Sequence, residues 1–153
     1  MTQDVQTWMD KLELLELCNK YAQGADNPDM DLFFSVFTDD VEMEYAGLGR
    51  TYRGLVEYRQ ALTTGGLADL HACKTRRSTH SMTNPAFEVN GDEATGVVHC
   101  VAFLAGTDSA GELYSQTRGL VYHDRYRRVE GRWLISYRRH ALKWMMEGVH
   151  TPV

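Results

Sequence analysis

At 153 residues, 43% apolar and with a formal net charge of −5, the chain has material for one core rather than two, and its acidic balance argues against a nucleic-acid surface. No stretch approaches the roughly 20 apolar residues needed to cross a bilayer, and Met1 to Asp10 is polar where a secretory signal carries an apolar run, so a cytoplasmic protein with no membrane partner is expected. The three cysteines, Cys18, Cys73 and Cys100, are odd in number and far apart; they read as reduced structural thiols, not as a disulfide framework or metal cluster.

In chain order, Val5, Trp8, Met9, Leu12, Leu15, Cys18 and Ala22 recur at spacings of three and four, with Leu14, Leu17 and Tyr21 as a flanking stripe, which predicts a long, largely buried N-terminal helix loosened at Gly24. Asn27-Pro28-Asp29 reads as a cap, a proline at the first helical position and an acid in the first turn of a short second helix through Phe33, Phe34 and Phe37. Val41 to Tyr45 alternates as a strand, and Gly47, Gly49 and Gly54 punctuate a hairpin before a third helix around Leu55 to Leu62. Thr63 to Leu70 reads as a loop. From Thr75 the pattern becomes extended in four segments, Thr75 to Val89, Ala94 to Ala105, Leu113 to Arg128 and Arg132 to Met145. Asn90-Gly91 and Glu130-Gly131 supply tight turns between them, and Asp108 to Gly111 a looser one, so an antiparallel meander is expected. Helices followed by strands, with no internal repeat or linker, predict one α+β domain over residues 1–153.

Several of these segments carry a shared pattern. Tyr21-x4-Asp26, Phe37-x-Asp39-Asp40-Val41 and Gly54 stand in the first half. His80-x3-Asn84, Asn90-Gly91-Asp92-x-Ala94 and Tyr122-x-Asp124-x3-Arg128-x2-Gly131-Arg132-Trp133-x-Ile135 follow in the second. Across nearly its whole length the chain resembles the SnoaL-like, scytalone-dehydratase-type members of the nuclear-transport-factor-two-like superfamily. The resemblance implies a cone-shaped, curved antiparallel sheet with three N-terminal helices enclosing one pocket. It implies a lyase or dehydratase that uses a His/Asp pair and pocket tyrosines with no cofactor or metal. On it, His80 falls at the catalytic histidine, Asp26 at the helix-end aspartate, and Tyr21 and Tyr45 at pocket tyrosines. Where related enzymes place a second histidine or an aspartate on the next strand, this chain offers Phe103 or Leu104. Relatives pack the convex side of the sheet against neighbours, so a homo-oligomer, trimer ahead of dimer, is expected, with Tyr114, Tyr126, Trp133 and Tyr137 as the outer aromatics.

The residues give the pair a rationale of their own. Histidine is matched to proton transfer near neutral pH, and a carboxylate on its ring N–H fixes the tautomer and raises its basicity. His80 and Asp26 should therefore meet inside the concave face. Tyr45 as a catalytic group, and Tyr21 and Tyr122 as substrate contacts, can donate hydrogen bonds to a carbonyl or developing enolate. Asn84 shares the strand face of His80 by period two, His99 on the adjacent strand is the candidate relocated base, and Phe103 and Arg138 are further pocket candidates, with Arg139 and Arg118 behind them. Met145 and Met146, with Trp144, form an apolar segment suited to closing the pocket mouth. His71, His123, His140 and His150 read as loop or surface groups, and no triplet shows metal-ligand spacing. The leading expectation is elimination from a small hydrophobic, aromatic or polycyclic hydroxy or carbonyl compound. An isomerase or cyclase of steroid-like or polyketide-like substrates, and a non-catalytic binding module, stand as alternatives.

Overall fold

A computed structural model describes residues 2–64, 66–67, 77–107 and 110–148. His71, Cys73, His150 and half of the Thr63 to Leu70 loop lie outside these residues. The elements are α1 (Thr2–Asp26), α2 (Met30–Phe34), β1 (Phe37–Tyr45), a 3-10 turn at Ala46–Leu48, β2 (Arg50–Arg53), α3 (Leu55–Thr63), β3 (Arg77–Asn90), β4 (Glu93–Thr107), β5 (Leu113–Val129) and β6 (Arg132–Gly148). Three helices and a six-stranded, curved and unclosed sheet in the order β2-β1-β6-β5-β4-β3 make the expected α+β cone. The four long strands are the predicted antiparallel meander, and β1 joins it by running parallel to β6, a pairing outside the hairpin reading. No helix among the described residues is long and apolar enough to cross a membrane.

Helix α1 carries two apolar stripes, and the inward one is not the one expected. Asp10, Leu14, Leu17, Cys18 and Tyr21 are buried, while Val5, Trp8, Met9 and Leu12 are 51–63% exposed. The reason is Asp10, which accepts from Arg128 Nη2 at 2.6 Å and from Trp133 Nε1 at 3.4 Å. That anchor turns the N-terminal part of the first stripe, Val5 to Leu12, to solvent, while Cys18 and Ala22 farther along it stay buried. Gly24 does not loosen the helix either. A Cβ there would come within 2.5 Å of the Phe33 backbone, so glycine is what lets α2 pack against α1. The second helix starts two residues later than its proline suggested. Asp29 is the cap, accepting from Leu32 N at 2.9 Å, Asp31 is the first-turn acid, and Phe37 already begins β1. Asn27 instead closes α1, donating to Gln23 O at 3.1 Å.

Turn chemistry fixes the strand registers. Glu130 (φ 49°) and Gly131 (φ 75°) both take positive φ, the type I′ geometry that suits a two-residue hairpin, whereas between β3 and β4 the loop residues are Gly91 and Asp92. Inward positions are Val98, Cys100, Ala102 and Leu104 on β4 and Leu120, Tyr122, Asp124 and Tyr126 on β5. Of the aromatics expected outside, Tyr126 and Trp133 are buried, and Tyr114 and Tyr137 are tied to Glu147 and Glu44. Large apolar groups left exposed on the convex face include Phe103, Trp144 and Met146. Register sets Phe103, Thr117 and Met146 in one row, with Val101, Gly119 and Trp144 two residues along. The arginines of the C-terminal half mostly hold carboxylates, as with Arg127 on Asp40 and Arg139 on Glu44. Cys18 and Cys100 are free and buried, and burial pushes both thiols up to about 11.

Candidate active site

The cone encloses a cavity of about 540 Å³, within the range of small-molecule sites. Its wall is mostly apolar: Leu48, Leu62, Leu67, Leu104, Leu120 and Met145 face into it. Two devices bring the chemistry there. The C-terminal end of α1 points Asp26 at β3, and the inward face of β3 presents His80. The carboxylate holds that residue twice, His80 Nδ1 at 2.6 Å from Oδ1 and the His80 backbone N–H at 2.7 Å from Oδ2. Both side chains are largely enclosed, 10% and 18% exposed. With Nδ1–H directed at the carboxylate, Nε2 carries the lone pair, which makes the ring a base on the pocket side.

From His80 the rings continue in contact around the wall. Tyr21 lies 6.4 Å from His80 and 5.8 Å from Tyr122, Tyr122 lies 5.4 Å from His140, and His140 stacks on Tyr45 at 4.9 Å and 26°. Tyr45 and Tyr58 place their hydroxyls 3.2 Å apart. Burial raises the phenols of Tyr21, Tyr45, Tyr58 and Tyr122 above their ordinary value, against the opposing pull of the Arg138 cation. They stay protonated and serve as donors.

Arg138 does not line the cavity. It shares the inward face with His140 and Leu142 but lies deeper, its guanidinium 4.3 Å from the Tyr21 ring and 4.2 Å from the Tyr122 ring. Both it and Asp124 are fully buried, joined at 2.8 and 2.7 Å, and Tyr126 donates to the same carboxylate at 2.8 Å. Burial alone would favour neutral arginine; the adjoining Asp124 charge and hydrogen bonds outweigh it and keep the group cationic.

Four other expectations are corrected. His99 is exposed and Phe103 is 49% exposed, because the inward parity of β4 falls on the even-numbered residues Val98 to Leu104. Asn84 is exposed outside the cavity: the ladder breaks between Thr83 and Ala86, and Asn84 takes a left-handed φ of 48° in that bulge beside Pro85, so period two from His80 fails. The apolar segment at the end of β6 is strand, with only Met145 turned inward, since a bulge at Lys143 shifts the parity after Leu142. Tyr21, Tyr45, Tyr122 and His80 do line the cavity, as does Arg118.

His140 is the largest departure from the sequence reading. Expected on the surface, it lines the cavity instead. Burial holds its imidazole down at about 4, with the positive charges of Arg138 and Arg118, and of His80 when that ring is protonated, adding to the effect and its own backbone opposing it. Tyr58 on α3 was also not anticipated. The signal for His140 was parity, two residues beyond the inward Arg138; Tyr58 gave none, since an aromatic on a short helix reads as core. His123 lies on the outer face, half-buried. Among the described residues, no group of three His, Cys, Asp or Glu side chains is gathered to hold a metal.

A profile of the SnoaL-like domain matches residues 6–139. The chain belongs to the SnoaL-like domain family. No curated protein matches the sequence at a significant level. Among solved structures, a protein of unknown function from Mycobacterium tuberculosis is 27% identical with a TM-score of 0.71, covering 90% of this chain and 74% of its own. The hexachlorocyclohexane dehydrochlorinase LinA-type3 of Novosphingobium barchaimii is 21% identical with a TM-score of 0.79, covering 98% of this chain and 99% of its own. A protein assigned as a scytalone dehydratase from Novosphingobium aromaticivorans is 17% identical with a TM-score of 0.77, covering 100% and 94%. The likeness to the last two establishes the shared cone fold.

Proposed function

We propose that this SnoaL-like protein is a cofactor-independent lyase acting on a small hydrophobic hydroxy or carbonyl compound, aromatic or polycyclic in class. The observation that carries the reading is the His80–Asp26 pair, 2.6 Å apart, with His80 on the wall of a largely apolar cavity. His80 Nε2 accepts a proton from a carbon beside a carbonyl or on a phenolic ring. The C–H electron pair becomes the new double bond, and the departing hydroxide takes the proton back from the imidazolium and leaves as water. Asp26 holds the ring and stabilises its charged form, while Tyr45 donates to the oxygen on which charge develops and Tyr21 and Tyr122 contact the substrate. Neighbours of the same fold include a dehydrochlorinase and an assigned dehydratase, both names for eliminations.

The same dyad serves an isomerase if the proton returns to a different carbon, and product mass separates the two. The test is incubation with a panel of β-hydroxy ketones and hydroxylated polycycles in deuterium oxide, read by mass spectrometry for wild type and His80→Gln. Loss of water, or deuterium incorporation, that disappears in the variant is expected; equal behaviour of the two proteins would overturn the reading. The Phe103, Trp144 and Met146 patch on the convex face supports a closed homo-oligomer as part of this proposal.

A further inference from the structure

We propose that His140 is the second catalytic residue of this pocket: its imidazole N–H donates a hydrogen bond to the substrate oxygen that gains negative charge as His80 removes a proton. The proposal rests on the lyase reading above and assigns the second polar group of the pocket to β6 rather than β4.

The first argument is placement. His80 and His140 stand at separate points of one arc of rings, with Tyr21 and Tyr122 between them, and both line the same cavity. A substrate lying along that arc offers a C–H to one histidine and an oxygen to the other. Tyr45, opposite His140 on β1 and stacked on it, fixes the ring's plane and sets a phenol beside it.

The second argument is that the two histidines have opposite surroundings. His80 carries Asp26 on Nδ1. His140 has no carboxylate bonded to its ring among the described residues. The groups facing it are Tyr21 from α1, Tyr45 from β1, Tyr58 from α3, His80 from β3, and Tyr122 and Arg118 from β5. On its own strand lies the buried Arg138. Hydroxyl donors and cations surround it, and burial keeps its imidazole neutral over the physiological range. A neutral imidazole in a positive field is a poor base but a competent donor to an oxyanion, and paired titratable groups driven apart by their environments divide the base and acid roles. The substrate class narrows accordingly, to compounds whose reacting carbon is conjugated to an oxygen able to carry charge, such as enolisable ketones and phenols.

Binding of 4-nitrophenol tests this without a known substrate, because its phenolate is read directly in the visible spectrum. Wild type is expected to bind the phenolate in preference to the phenol. His140→Phe, which keeps an aromatic ring but has no N–H, is expected to lose about tenfold in phenolate affinity, the usual worth of one hydrogen bond to a charged group. His140→Gln, which keeps an N–H donor, should stay within about threefold of wild type. Phenolate affinity in a folded His140→Phe equal to wild type overturns the proposal; if that variant does not fold, His140→Leu gives the same comparison. The lyase reading is decided separately, by His80→Gln in the deuterium experiment.

Discussion

Asp26→Asn perturbs the proposed chemistry while leaving most of the structure in place, and its geometry dictates a large effect. One carboxylate oxygen accepts from the His80 backbone N–H at 2.7 Å and the other meets His80 Nδ1 at 2.6 Å. An asparagine has a single acceptor oxygen. With that oxygen kept on the backbone N–H, the amide NH₂ turns toward the ring. Nδ1 must then accept, the ring hydrogen moves to Nε2, and the nitrogen facing the pocket loses its lone pair. Loss of the charge alone, a hydrogen bond to an ionised group exchanged for a neutral one, is worth about 1–2 kcal/mol, or roughly 5- to 30-fold. The wrong tautomer adds more, on the scale of the roughly 10⁴-fold loss that the same replacement causes in a serine protease triad. A fall in kcat on the order of 10³ is therefore expected. Because the backbone bond survives and the site is on the cavity wall, the stability loss should be only about 1 kcal/mol. Ring opening of 5-nitrobenzisoxazole, a one-step proton abstraction from carbon that releases a coloured phenolate, provides the assay, with urea unfolding as the fold control. A fall of less than about tenfold in a protein of normal stability would refute the tautomer argument.

Three further outcomes follow from other parts of the structure. His140 is held at about 4 against an ordinary 6.5, so below pH 6.5 the unfolded chain takes up a proton that the folded one refuses, and stability is lost as pH falls toward 4. Between pH 7 and pH 5 this costs wild type about 2 kcal/mol in urea unfolding, and His140→Gln should lack that component. Gly24→Ala drives a methyl to within 2.5 Å of the Phe33 backbone, and despite the better helix former a net loss of about 2 kcal/mol in thermal unfolding is expected; an unchanged midpoint would show that α2 can shift. Light scattering of wild type should give a multiple of the 17.4 kDa chain, trimer ahead of dimer, and Phe103→Glu should lower it; a wild-type monomer at micromolar concentration would leave the convex face self-sufficient.

Most of the architecture was legible because its signals are local. Period two over long segments marks β3 to β6, and the positive φ of Gly131 is written in its residue type. The aspartate and histidine of the dyad were legible through the family pattern, and the inward tyrosines with them. What failed depended on facts that no local window contains. The orientation of α1 is decided by Asp10 meeting Arg128, far along the chain. Parity was lost at two of the bulges, at Asn84 on β3 and at Lys143 on β6. His140 was misplaced because nothing in its neighbours says which face of β6 is inward until Arg138 is known to pair with Asp124 across the ladder.

Asp26 is a fastening as well as a chemical group, since one of its oxygens ties the last turn of α1 to the backbone of β3. Helix ends open at far lower cost than the strands of a core. Unwinding of a single turn would withdraw the carboxylate and release the His80 ring while the meander and its long ladders remained whole. Catalytic competence should thus belong to a small cooperative unit of its own, melting ahead of the domain, and the exchange rate of the His80 amide hydrogen would measure how much of the time the site exists.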